Sequence, residues 1–236
     1  MARPAHNRWL GRSVRGAASS FQEIHDYIYS TGGNYTTDCH KYQLIIFRRA
    51  VSALRSLGIL IEEYAYDAAY GRIRYLMEAY LLLKALNRNQ DHAAELLDKT
   101  RYEIRARGTP VSPETRLQEE NKLGDLLEKQ RSTLAGEEKR LYDHLSNRAM
   151  HPHTMSGAQV PGRYSSTVEK DCLQFGNFFA FGIAAQLIRT FETTDGSRAI
   201  RLSLEPVIVD IWTVVDAAIP RLLKDELDLW EPSRFG

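Results

Sequence analysis

The residues best suited to chemistry lie between Leu141 and His153, in the order Leu-Tyr-Asp-His-Leu-Ser-Asn-Arg-Ala-Met-His-Pro-His. Three of the chain's seven histidines, His144, His151 and His153, fall there beside Arg148. An imidazole can accept or donate a proton near neutral pH. A guanidinium can hold a phosphate through two parallel hydrogen bonds. Arg148, four intervening residues and His153 therefore supply a phosphate holder and a general base, the pair that phosphodiester chemistry needs. Helical spacing turns Tyr142 and Leu145 towards a core and puts His144 and Arg148 on one face. Pro152 disfavours helix at His151, so the helix is expected to end near Ala149 or Met150. His151 and His153 then sit at or just beyond a helix C-terminus, where the exposed carbonyls favour a protonated ring. A purely architectural role is open as well, because basic side chains at such ends often hydrogen-bond the last carbonyls.

A second pair lies on an earlier helix. From Tyr75 to Leu86 only Glu78 and Lys84 carry charge, and apolar residues surround the axis, as in a helix buried on most sides. Arg74 precedes Glu78 by one turn on the same face. The two form either an ion pair that fixes helix packing or the wall of a polar pocket. In the architectural reading the pair is buried, and removing Glu78 alone strands an arginine at a cost of about 3–5 kcal/mol.

Arg74-x-x-x-Glu78 on a buried helix, followed by Tyr142-x-x-Leu145-Ser146 and then His151-Pro152, resembles the bacterial helical proteins of the DUF5677 type over the central third of the chain. Arg148-x4-His153 in a helical bundle is similar to the signature of the HEPN superfamily, which implies a metal-independent endoribonuclease of bacterial stress or phage defence. Under that resemblance His153 acts as base on a ribose 2′-hydroxyl and Arg148 steadies the phosphate, with His151, His144, Ser146, Tyr142, Arg74 and Glu78 nearby. A homodimer that brings two motifs together, and a protein partner such as an antitoxin, are implied in the same way. Two positions depart from the pattern. Ala149 stands where a polar residue usually follows the arginine, and Pro152 interrupts the helix that usually carries the motif. The alternative is a non-catalytic scaffold or partner-binding module, in which the Arg–Glu pair and the histidine turn are architectural.

An RNA substrate also needs a basic surface. Lys99, Arg101, Arg105 and Arg107 form a basic run broken only by Glu103, and Arg3, Arg8, Arg12 and Arg15 precede the first acid, Glu23. Such groups can follow a phosphate backbone, although charge runs also simply solvate a surface. The formal net charge is +1, so any anion binding is local and not a property of the whole chain. The sequence holds no nucleotide-binding glycine loop, no nucleophile elbow, no EF-hand loop and no H-E-x-x-H spacing, so neither a cofactor nor a metal is expected.

The elements that must position these residues are helical nearly throughout, because the apolar pattern repeats at helical and not at strand spacing. The expectation is an all-α single domain, a bundle of about seven helices over residues 19–236, preceded by a flexible basic arm over residues 1–18. Ser19 and Ser20 are candidate caps for a first helix to Ser30, and Thr37 and Asp38 for a second. Gly58 and Gly71 are the soft points between the second helix and the Glu78 helix, and Asn87 is read as a breaker. Long apolar helices are expected at 167–193 and 205–229. In the first of these Gly176, Ala180 and Ala184 form a small-residue face that lets another helix approach. Phe175–Phe191 includes Asn177, Gln186 and Arg189, which suits a core helix and not a membrane span. Cys39 and Cys172, far apart and without metal spacing, suit a reducing compartment, and a cytoplasmic location without membrane partners is expected.

Overall fold

The computed structural model describes residues 5–30, 38–88, 128–134, 136–150 and 164–191. Among these residues there is no strand, and five long helices carry nearly all of the structure: α1 (Ala5–Ser30), α2 (Asp38–Glu62), α3 (Tyr66–Arg88), α4 (Gly136–Met150) and α5 (Ser166–Phe191). Residues 128–132 form a further helical segment. The fold is all-α. The basic run at residues 99–107 and the helix expected at 205–229 lie outside the described residues.

Helix α1 begins at Ala5, not at Ser19–Ser20, so residues 5–18 belong to the bundle and are not an arm. The reason is apolar spacing. Val14, Ala17, Ala18, Phe21 and Ile24 repeat at three- and four-residue intervals and are buried, which extends one hydrophobic stripe towards the N-terminus. The arginines in this stretch occupy the remaining face.

The junction of α2 and α3 is at Glu63–Ala65, and Gly58 and Gly71 both lie within helices. Tyr64 adopts φ 57°, in the left-handed region. Its N–H donates to the Ile61 carbonyl at 3.2 Å, and the Ala65 N–H donates to the Leu60 carbonyl at 2.8 Å. Together these make a Schellman cap, a position usually held by glycine. The aromatic ring compensates for the backbone strain by packing against Tyr66 and Tyr164, with centroids 6.3 and 5.6 Å apart. Sequence patterning looks for glycine at such a stop, which is why this one escapes it.

Helix α3 packs against α2, α4 and α5, and α5 packs against α1, α2 and α3. The core between them is aromatic and aliphatic, built from Phe21, Phe47, Tyr70, Phe179 and Phe181 with Leu54, Leu57 and Ile73. The small-residue face of α5 does what its spacing suggests. A Cβ at Gly176 would stand 2.6 Å from Leu57 Cδ2 and 3.6 Å from Val14 Cγ2, so α1 and α2 close onto α5 at that point. On another face of α5, a Cβ at Gly182 would meet the Tyr80 ring of α3 at 2.8 Å. Cys39 and Cys172 are buried thiols, and burial pushes Cys39 above the usual thiol range. Among the described residues no helix is long and apolar enough to cross a membrane.

Candidate functional site

Helix α4 carries Tyr142, His144 and Ser146 and, in its backbone, Arg148, and its packing determines which of the first three meet the α3 pair. Tyr142 and Leu145 are buried, as their spacing requires. Tyr142 receives two guanidinium groups against its ring: Arg74 of α3, 6.0 Å from the centroid, and Arg131, at 5.4 Å. Arg74 Nε donates to Glu78 Oε1 at 3.0 Å, and Arg131 pairs with Glu128 at 3.3 Å. The result is a polar seam, Glu78–Arg74–Tyr142–Arg131–Glu128, that crosses from α3 to α4 and on to residues 128–132. Arg74 and Glu78 keep 25% and 24% of their side-chain surfaces in solvent. The pair is therefore half-buried and not sealed in the core, which corrects the expectation of full burial and of a 3–5 kcal/mol penalty. Helix α3 is apolar around most of its axis, but the side carrying Arg74 and Glu78 meets α4 at its edge.

Near Glu78 the Tyr75 phenol is held above the usual tyrosine range, chiefly by burial, with Arg49 opposing the shift through its charge and a hydrogen bond. One turn beyond Tyr142, Ser146 has its Oγ enclosed with no hydrogen-bond partner among the described residues. His144 is exposed and turns to α5, with its ring 6.2 Å from that of Phe175. The structure thus brings together Arg74, Glu78 and Tyr142, places Ser146 one turn away and points His144 at a different helix. Helix α4 is described to Met150, so its backbone includes Arg148. His151 and His153 lie outside the described residues, as do Lys99, Arg101, Arg105 and Arg107. Among the described residues no group of three or more His, Cys, Asp or Glu is placed to hold a metal ion.

Two polar centres escaped the sequence reading. The first is Asn87, which lies within α3 and is not a breaker. Gln43 Nε2 of α2 donates to Asn87 Oδ1 at 2.7 Å, and Asn87 Nδ2 donates to the carbonyl and the side-chain oxygen of Gln186 of α5, both at 2.9 Å. Thr190 Oγ1 adds a bond to Asn87 Oδ1 at 3.2 Å. This neutral amide network ties three helices together, and it is why Gln186 can interrupt an otherwise apolar helix.

The second centre is at the α1/α5 junction. Glu169 is 1% exposed and accepts a hydrogen bond from Asn7 Nδ2 at 2.8 Å, while the same amide donates to the Ser166 carbonyl at 2.9 Å. Ser165 caps α5: its Oγ lies 3.5 Å from the Val168 N–H and its carbonyl accepts from the Glu169 N–H at 2.9 Å. Glu169 thus lies in the first turn of α5, where the helix dipole favours a negative charge. The Ser165 N–H points at Tyr66 Oη, 3.4 Å away. Burial first, and the neighbouring Glu169 charge in addition, push the Tyr66 phenol up to about 12. The usable signal for this centre was Ser165-x-x-Val168-Glu169, a cap followed by an acid in the first turn, but no local pattern announces that Asn7 covers it.

No protein-family model, no curated protein and no solved structure matches this chain.

Proposed function

We propose that this chain is a HEPN-like helical protein that cleaves RNA without a divalent metal, with its reacting groups at the C-terminal end of α4. The observation that supports the reading is the course of α4. It stays helical to Met150, carries Arg148 in its last turn and delivers the chain directly to His151-Pro152-His153. The seam at Tyr142 holds α4 on α3 two turns earlier, the kind of anchorage a positioned reacting group requires. In this mechanism His153 takes the proton from a ribose 2′-hydroxyl, and the 2′-oxygen attacks the adjacent phosphorus. Arg148 holds the non-bridging oxygens through two hydrogen bonds. The 5′-oxygen leaves with a proton from His151 as imidazolium, giving a 2′,3′-cyclic phosphate and a free 5′-hydroxyl. Two copies of the chain in a homodimer, or an antitoxin-type partner, would complete or mask such a site.

A second reading is favoured by the seam itself. Arg74 pairs with Glu78 on α3 and lies over the Tyr142 ring of α4, which suits a non-catalytic scaffold or partner-binding module.

Labelled single-stranded RNA incubated with purified protein in excess chelator separates the two. The nuclease reading expects cleavage by the unmodified protein and its loss in both His153→Ala and Arg148→Ala, with helical content unchanged. Intact RNA with all three folded proteins sinks the nuclease reading and leaves the scaffold.

A further inference from the structure

A cleft of about 350 Å³ opens between the N-terminal half of α1, the end of α2 and the start of α5, remote from the α3/α4 seam. Its α1 wall is Arg8, Gly11, Arg12 and Arg15, which spacing places on one helical face. Two glycines keep it open. A Cβ at Gly11 would meet nothing within 4 Å, and across the cleft the position of a Cβ at Gly58 has only Arg15 Cγ near it, at 3.8 Å. The volume falls in the range of small-molecule sites, about 300–1,000 Å³.

The charges in the cleft are unequally matched. Arg15 is paired with Glu62, and Glu169 takes the Asn7 amide. Arg8 and Arg12 have neither an ion pair nor a hydrogen bond among the described residues, and both are exposed at the mouth. Two guanidinium groups one turn apart, each with a free fork of donors, match the oxygens of a phosphate better than a single carboxylate. The Glu62 and Glu169 side chains also line the cleft, so a bare anion seated deeply would meet repulsion. A ligand whose body offers N–H or O–H donors to those walls avoids it, with Ile61 and Leu173 giving apolar contact.

We infer that this cleft binds a phosphate monoester with a donor-bearing body of about nucleoside size, its phosphate held by Arg8 and Arg12. The site is independent of the chemistry proposed for α4. It turns Arg8 and Arg12, two of the four arginines of the expected basic arm, into a localised receptor.

Calorimetric titration of the full chain at low salt, with adenosine 5′-monophosphate and separately with inorganic phosphate, tests this. The expected result is saturable one-to-one binding of the monophosphate and binding at least about 10-fold weaker for phosphate alone. Arg8→Gln with Arg12→Gln should weaken the monophosphate about 10-fold or more, and weakening should also follow added salt. Gly11→Leu, which fills the cleft and leaves every arginine in place, should abolish binding while the melting temperature is held or raised, since leucine favours helix over glycine. His153→Ala should leave binding unchanged, which separates this site from the one at the end of α4. Equal affinity for phosphate and the monophosphate, binding that survives Gly11→Leu, or no binding at millimolar ligand would each overturn the inference. So would capture of an RNA strand with no affinity for the monophosphate.

Discussion

At the α3/α4 junction Glu78 leaves 24% of its side-chain surface in water, whereas at the α1/α5 junction Glu169 as a whole residue is 1% exposed. Neighbouring sequence points the other way. Glu78 is flanked by apolar residues, while Glu169 stands beside two charged residues, Lys170 and Asp171. The partners differ too. Arg74 is one turn away on the same helix, so the ion pair exists as soon as α3 forms. Asn7 is 162 residues distant, so the Glu169 contact exists only after α1 has docked. How deeply a charge is buried is decided by the helix that covers it and not by the helix that carries it.

The largest effect follows from this contrast at Glu169. Glu169→Ala removes one of the two acceptors of the Asn7 amide at a buried junction, and should cost about 2–3 kcal/mol. Urea denaturation checks it, and a double-mutant cycle with Asn7→Ala should show the two changes to be strongly non-additive. Additive losses would mean that the junction is held by apolar packing alone.

Next in size is the response to alkali at the same junction. The Tyr66 phenol is raised from 10.0 to about 12, so the native state favours the neutral ring. That stability is fully present below pH 10 and is lost as the pH rises towards about 12, an effect of at most about 2.7 kcal/mol by linkage and less once solvent screening is counted. Tyr66→Phe should flatten the fall in denaturation midpoint over that window relative to the parent protein. The same slope in both would place the alkaline loss elsewhere, with Tyr75 the next phenol to examine.

Glu78→Ala should be the smallest of the three, below about 1 kcal/mol, because Arg74 regains water and keeps its contact with the Tyr142 ring. A loss equal to that of Glu169→Ala would break the comparison and restore the picture of a sealed Arg74–Glu78 pair.

Much of the local structure was legible. The long apolar helix through Phe179 follows from apolar periodicity. The small-residue stripe at Gly176 was legible as a close approach, because only a missing Cβ admits Leu57 at that distance. The candidate site was legible in part: Arg74, Glu78 and Tyr142 do meet, since helical spacing places each on an inward or bordering face. What escaped were contacts between side chains far apart in the chain, namely Asn7 with Glu169 and Asn87 with Gln186, and one local feature, Tyr64 in a cap position normally given to glycine.

By itself, then, the sequence determined the all-α class, the faces of its helices and the identity of the groups that could bear charge or move a proton. These depend on local steric preference and on a period of 3.6 residues, both complete within a few turns. Only the tertiary structure decided that Glu169 is buried and Glu78 is not, that the N-terminal arginines line a cleft, and that Asn87 joins three helices. Burial and hydrogen-bond satisfaction belong to the packed assembly, and no stretch of chain contains the helix that will come to lie over it.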